Sequence, residues 1–294
     1  VTGSIGIDTV ITPTGRADEV LGGSCTYFAA AASFFTKVRL NAVVGDDCPN
    51  PLLEVFDHFG VDTEGLEVRV GSKTFRWTGE YHENMNERDT LDVQPNVLAE
   101  PLPPMPDSYG DSKYVFLANT HPASQIELRQ KFPDAKFVIA DTMNLWIETA
   151  LDDLKSLLSQ IDGIVLNDSE AVQLTGKSNM IDAADAIAKM GPKVIVIKKG
   201  EHGCLMRHPE GLAVLPAYPT NQVVDPTGAG DSFAGGMMGL ITELEDTSLT
   251  TMRKALAYGT VVASYNIASF SLEAMKSLTR KQVDERYQSF AQMM

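Results

Sequence analysis

The chain has 294 residues, 44% of them hydrophobic and 21% charged, with a formal net charge of −15. That is enough apolar material for a large buried core, and the composition excludes a disordered, collagen-like or disulfide-scaffold protein. So acidic a chain lacks the clustered Lys and Arg that a phosphate backbone requires, so nucleic acid is not an expected partner.

The chain opens on Val1 and runs directly into Gly3-Ser4-Ile5-Gly6-Ile7-Asp8, as though the first residues of a strand preceded it. Residues 9–21 mix β-type, turn and polar residues, and residues 24–35 then carry small and aromatic residues at helical spacing. Residues 40–44 are a short apolar run, and residues 51–59 read as helix. Residues 68–93 are again β-type and polar, and include Lys73-Thr74-Phe75-Arg76-Trp77-Thr78-Gly79-Glu80-Tyr81. A loop of about 25 residues without structure is uncommon in a compact domain, so the two polar stretches are expected to pair as a small β-sheet. Residues 101–106 form a proline-rich connector.

Apolar runs at 114–117, 137–140, 163–166 and 194–197 then alternate with helical patterns at 123–130, 151–160, 170–174 and 181–190. Runs of this kind, closed by turn or polar residues, read as buried parallel strands, and their alternation with helices predicts a doubly wound α/β sheet. The last third (232–244, 249–264 and 279–293) reads as helices.

The densest chemical signal is Asp225-Pro226-Thr227-Gly228-Ala229-Gly230-Asp231-Ser232-Phe233-Ala234-Gly235-Gly236. Pro226 disfavours helix at Asp225, the glycines permit a tight turn, and a helical run follows at once. Small residues there let successive N–H groups converge at a helix N-terminus, where an anion is favoured. A carboxylate at the same place contradicts simple phosphate binding. It makes sense if Asp231 takes a proton from an attacking hydroxyl while the N–H groups stabilise a transferring phosphoryl group.

This string resembles the C-terminal signature of the PfkB carbohydrate kinases, the family of ribokinase, fructokinase and adenosine kinase. The resemblance implies Asp231 as catalytic base and the backbone of Gly228, Ala229 and Gly230 as anion hole. Gly22-Gly23 before a helix resembles the N-terminal signature, whose glycines line the sugar site. The commonest form carries Asn four residues later, where this chain has Tyr27, which points to a flatter or less polar pocket. Gly3–Asp8 resembles the family's first strand, with Asp8 accepting from substrate hydroxyls.

Asn167-Asp168-Ser169-Glu170 resembles the family's Asn-x-x-Glu motif, which implies that Asn167 and Glu170 lie in the phosphate environment, with Glu170 reaching Mg²⁺ through water. Alone, these are also ordinary helix-start residues. Lys198-Lys199-Gly200 resembles the nucleotide-side turn, with Lys198 toward the phosphates and Gly200 against ATP. In relatives the loop that flanks adenine, with the region of Asp225 and Thr227, can bind a monovalent cation; here that loop reads Asn266-Ile267-Ala268-Ser269-Phe270, which departs from the ribokinase pattern. Asn119, Asp141 and Asn144 lie at or after strand ends, where ligands bind in open α/β sheets.

The resemblance covers nearly the whole chain. It implies one ribokinase-like domain over 1–294, a three-layer doubly wound sheet with a small β-sheet lid from segments 9–21 and 68–95. In relatives the lid excludes water from the substrate, and Arg76, Trp77, Tyr81 and Asn84 are its candidate contacts. The implied reaction is transfer of the γ-phosphoryl group of Mg-ATP to a hydroxyl of a sugar or polyol. A nucleoside is the second reading, and a non-catalytic sugar or nucleoside sensor is a third. Open edges on the lid sheet suit a homodimer.

Several signals are set aside. Cys25, Cys48 and Cys204 are dispersed and odd in number, which implies no disulfide framework and suits a reducing, cytoplasmic setting. No apolar run of about 18 residues and no signal peptide are visible, so no membrane partner is expected. Gly176-Lys177-Ser178 lacks the glycine spacing and preceding strand of a phosphate-binding loop, and there is no early G-x-G-x-x-G of a dehydrogenase.

Overall fold

The computed structural model describes residues 1–294. The first third forms β1 (Gly6–Thr12), β2 (Gly15–Gly22), α1 (Ser24–Ser33), β3 (Arg39–Gly45), α2 (Asn50–His58), β4 (Asp62–Arg69), β5 (Phe75–Tyr81) and β6 (Arg88–Gln94). The middle forms β7 (Tyr114–Leu117), α3 (Pro122–Gln130), β8 (Phe137–Asp141), α4 (Asn144–Thr149), α5 (Leu151–Leu158), β9 (Gly163–Asn167), α6 (Asp168–Thr175), α7 (Met180–Ala188), β10 (Val194–Lys198), β11 (Cys204–His208) and β12 (Gly211–Leu215). Helices α8 (Ala229–Leu244), α9 (Leu249–Asn266), α10 (Glu273–Lys276) and α11 (Arg280–Ala291) complete the chain.

Two compact units result. The first comprises Val1–Pro106, Tyr218–Glu245 and Ala255–Met294. Its four-stranded sheet has the order β2-β1-β5-β6. The two polar stretches therefore pair, as expected, but the sheet takes in more of the amino-terminal segment: β1 begins at Gly6 and carries Asp8 opposite Trp77 of β5. Val68 and Arg69 go elsewhere, to β4, which lies parallel to β3. Every residue of β6 is exposed, as befits an edge strand. Helix α1 is buried from Ser24 to Ala32 and packs against α8, the two being rich in Ala and Gly that allow close approach.

The second unit comprises Asp107–Ala217 and Asp246–Lys254. Its six-stranded sheet has the order β12-β11-β10-β9-β8-β7. Strands β7 to β10 are parallel, and the runs Val115–Leu117, Ile164–Leu166 and Val194–Ile197 are buried on both faces, the condition that makes such strands continuously apolar. An antiparallel hairpin, β11 and β12, extends this sheet at one edge. Helix α6 stops at Gly176 in the left-handed region, which explains why the Gly-Lys-Ser there is a helix end rather than a phosphate loop.

Candidate active site

Asp8 occupies β1 at the point where β2 returns and gives way to α1. It is 4% exposed. The glycine pair explains how the chain folds over it: a Cβ on Gly22 would lie 1.8 Å from Asp8 Oδ2. Gly23, at φ +94°, would place a Cβ 2.5 Å from Ser4 O. Burial pushes the Asp8 carboxyl up to about 8, the charges of Asp225 and Asp231 push the same way, and the Gly23 N–H opposes them.

That shift has a consequence for stability. The ordinary value is 3.8 and the folded value about 8, so between them the native state holds a proton that the unfolded chain releases. Stability from the protonated carboxyl is complete below the lower value and is lost as pH rises to the upper one. Asp8→Asn removes that loss. The variant should melt above the parent protein at pH 8, by roughly 10 °C or more, and calorimetry should show the gap closing as the pH is lowered toward 4. Parallel melting profiles would exclude a buried, proton-retaining Asp8.

The glycine-rich turn builds the other half of this unit's site. Asp225 is fully buried, and burial raises its carboxyl above the ordinary range. Its Oδ1 accepts from Thr227 N at 2.8 Å. Thr227 O accepts from Asn266 Nδ2 at 2.8 Å, and Thr227 Oγ1 donates to the Tyr81 hydroxyl at 3.3 Å. Thr227 is thus fixed through N, O and side chain, the last by a residue from β5. Asp225 Oδ2 and Asn266 Oδ1, both buried, have no hydrogen-bond partner. Gly228 caps α8 in the left-handed region at φ +74°. Ala229 N donates to Pro226 O at 3.1 Å, closing the turn. Gly230 and Asp231 follow in the first helical turn, where N–H groups have no intrahelical acceptor and the helix dipole favours an anion. Of the three residues assigned to the anion hole, Ala229 thus spends its N–H on the turn.

Tyr27 lies on α1 and is 1% exposed. Its ring fills the place of a side chain at Gly228, where a Cβ would fall 2.2 Å from Tyr27 Cγ. Burial, then the charges of Asp225 and Asp8, the Tyr81 phenol and Asp231 hold the Tyr27 hydroxyl well above its ordinary range. Asp8, Gly22, Gly23, Tyr27 and residues 225–231 are therefore one neighbourhood.

The remaining expected residues belong to the second unit. Asp141, Asn167 and Lys198 stand at the carboxyl ends of β8, β9 and β10, with Lys198 in register with Asn167. Lys198 Nζ is 3.7 Å from Asp141 Oδ1. Burial raises the Asp141 carboxyl despite the opposing pull of Lys198. Asn167 and Glu170 form a capping box: Asn167 Oδ1 accepts from Glu170 N at 2.8 Å, and Glu170 Oε2 accepts from Asn167 N at 2.7 Å. The ordinary helix-start chemistry of these residues is thus realised. Asn119 accepts from Trp146 Nε1 at 2.9 Å. Gly200, at φ +51°, opens the turn after β10, and Asn144 opens α4.

Among the lid candidates, Arg76 pairs with Glu19 and Asp47, Trp77 Nε1 donates to Thr90, and Asn84 caps a turn. Only Tyr81 reaches the glycine-rich turn. Asp225 and the loop from Asn266 were already singled out in the sequence; the fold adds which of their oxygens are buried without a partner.

A carboxylate in the first turn of a helix, beside a glycine-rich anion-binding turn and a second buried carboxyl, is equipped to deprotonate a bound hydroxyl next to a phosphoryl group. The class this defines is a phosphotransferase with an alcohol acceptor. The model described as pfkB family carbohydrate kinase matches residues 19–277, and the chain belongs to that family. It is an ATP-dependent kinase. The cytidine kinase of Thermococcus kodakarensis is 30% identical over 244 residues, covering 81% of this chain and 86% of that protein. The structure of Burkholderia thailandensis nucleoside kinase in complex with inosine has a TM-score of 0.78 at 21% identity, covering 98% of this chain and 97% of that one. The Salmonella enterica aminoimidazole riboside kinase, complexed with aminoimidazole riboside and an ATP analog, has a TM-score of 0.77 at 20% identity, covering 98% of each chain. The fold is ribokinase-like. No helix is long and apolar enough to cross a membrane.

Proposed function

We propose that the protein phosphorylates a hydroxyl of a riboside, with Asp231 as the base. The observation that carries this reading is the packing of the glycine pair and the glycine-rich turn into one place: Gly22 closes over Asp8, and the ring of Tyr27, four residues after Gly23, rests on Gly228 at the start of α8, where Asp231 stands in the first turn. Gly230 and its neighbours in the first turn receive the transferring phosphoryl group, and Asp8 orients the acceptor. The likeness to a cytidine kinase over most of the chain favours a riboside above the free sugar or polyol that the sequence put first.

Lys198, Asn167 and Gly200 serve the nucleotide. No group of three or more His, Cys, Asp or Glu side chains suited to a metal ion occurs. That fits Mg²⁺ held chiefly by nucleotide phosphates and water, with Glu170 touching a water; the ion would supply charge neutralisation at the phosphates. The buried, partnerless oxygens of Asp225 and Asn266, both beside Thr227, suit a monovalent cation. The small sheet acts as the lid of a single kinase domain. Leu91 and Val93, 54% and 52% exposed on the edge strand β6, suit homodimer contact. A cytoplasmic setting accords with three free, buried cysteines.

The test is ADP release with Mg-ATP over a panel of ribonucleosides, ribose, fructose and inositol. Turnover greatest with a ribonucleoside is expected. Turnover confined to free sugars or inositol would replace the riboside with the sugar reading.

A further inference from the structure

The segment that leads into the glycine-rich turn is held largely from outside. Residues 218–228 belong to no helix or strand, so the placement of Gly228, Gly230 and Asp231 depends on what grips the chain just before them. On one side this is the loop after α9. Val224 N and Asp225 N donate to Ile267 O at 2.8 and 3.2 Å, and Asn266 Nδ2 donates to Thr227 O at 2.8 Å. On the other side it is the small sheet, which reaches both ends of the segment. Thr14, in the turn between β1 and β2, donates from Oγ1 to Val224 O at 3.1 Å. The Tyr81 hydroxyl, at the end of β5, accepts from Thr227 Oγ1 at 3.3 Å.

The contact at Tyr81 is suited to control of the turn. Tyr81 is 7% exposed, and burial, opposed by the charge of Arg88, holds its phenol above the ordinary range. The bond therefore joins two neutral hydroxyls. The sheet fixes the backbone from both sides: Tyr81 stands opposite Arg88 of β6, and its neighbour Glu80 opposite Ile11 of β1. A separation of 3.3 Å is longer than the usual O–H···O range of about 2.5–3.0 Å. The bond thus adds little to stability, yet a small movement of the sheet changes it. Thr227 immediately precedes Gly228, whose left-handed conformation starts α8. A rotation at Thr227 passes directly to the N–H of Gly230 and the carboxylate of Asp231. Misplacing reacting groups by about 1 Å can cost on the order of 10²-fold in rate.

We propose that Tyr81 is a positioning residue for phosphoryl transfer: through the Thr227 hydroxyl, the small sheet fixes the start of α8. The rate of transfer then depends on a side chain that touches neither substrate. This rests on the kinase reading above and goes beyond it, since the sheet becomes part of the support of the catalytic turn as well as a cover. Thr14 secures the other end of the same segment at Val224.

The experiment measures kcat and KM with Mg-ATP and the fastest acceptor of the panel, whatever its class. The variants are Tyr81→Phe, alone and combined with Thr227→Val or Thr227→Ser, and the two Thr227 variants alone. Tyr81→Phe should lower kcat by about 10-fold and leave both KM values within about 2-fold. Its melting temperature should stay within about 4 °C of the parent. In the Thr227→Val background the same change should cost less than about 2-fold, because the hydroxyl it acts on is gone. In the Thr227→Ser background, which restores a hydroxyl, the loss of about 10-fold should return. A full loss in the Thr227→Val background would show that Tyr81 does not act through Thr227 and would overturn the proposal. A raised KM at unchanged kcat overturns it too, by making Tyr81 a binding residue. A parent enzyme that turns over no acceptor removes the kinase reading and this proposal together, whereas an active parent with an unimpaired Tyr81→Phe removes this proposal alone.

Discussion

Asp231→Asn should abolish phosphoryl transfer, lowering kcat by about 10³-fold while the protein stays folded, since positioned general bases contribute on the order of 10²–10⁴. The substitution keeps shape and removes only charge and basicity. Asp231 stands in the first turn of α8, where the amide of Asn still sits at a helix N-terminus. Its charge is one of those that hold Asp8 protonated, so the variant should also shift Asp8 downward. Two readouts then accompany the loss of rate: the stability profile between pH 4 and 8 flattens in part, and acceptor binding survives. Retained kcat with unaltered pH dependence would remove Asp231 from the reaction and leave the cluster without a base. Loss of folding would be equally informative, since the isosteric change relieves repulsion among carboxylates rather than adding any.

Much of this arrangement was legible because it is local. The strands at 114–117, 137–140, 163–166 and 194–197 announce themselves as apolar runs, and the structure extends each by at most one residue, to Asp141, Asn167 and Lys198. Those added residues are polar because they emerge from the sheet, and that is why they carry chemistry. Strand β4 (Asp-Thr-Glu-Gly-Leu-Glu-Val-Arg) was not legible as a strand, although Leu66 and Val68 alternate with Glu67 and Arg69, because Asp62, Glu64 and Gly65 before them are poor strand formers. The hairpin β11–β12 was missed because Arg207 and His208 interrupt its apolar pattern; His208 is buried, with its ring nitrogens bonded to Thr247 O and Glu210 N. Within the site, the glycine-rich turn and Asp231 could be read from twelve consecutive residues. The pairing of Tyr27 with Gly228 could not, because it joins positions some 200 residues apart through van der Waals contact. The bond from Thr227 to Tyr81 is of the same kind.

That ring contact makes Gly228→Ala the second severe substitution. Two costs add there. The residue sits at φ +74°, a conformation that costs a non-glycine residue about 1–2 kcal/mol. The new methyl would also fall 2.2 Å from Tyr27 Cγ and 2.3 Å from its Cδ2. Tyr27 is fully buried beneath α8 and cannot swing aside, so either the ring or the helix start must move, an overpacking cost of about 1–3 kcal/mol. The total, about 2–5 kcal/mol, corresponds to a fall in Tm of roughly 10 °C for a protein of this size. Gly60→Ala is the matching control in the same unit: it has φ +62° and no atom within 4 Å of the added Cβ, so it isolates the backbone cost. The difference between the two melting temperatures is the contribution of the ring. Activity should separate them further, since any shift of the turn misplaces Gly230 and Asp231 together, whereas Gly60→Ala should leave kcat untouched. Equal melting temperatures in the two variants would mean that the Tyr27 ring yields. The start of α8 would then hold its position against a side chain at 228, and the ring contact would contribute nothing to the placement of Gly230 and Asp231.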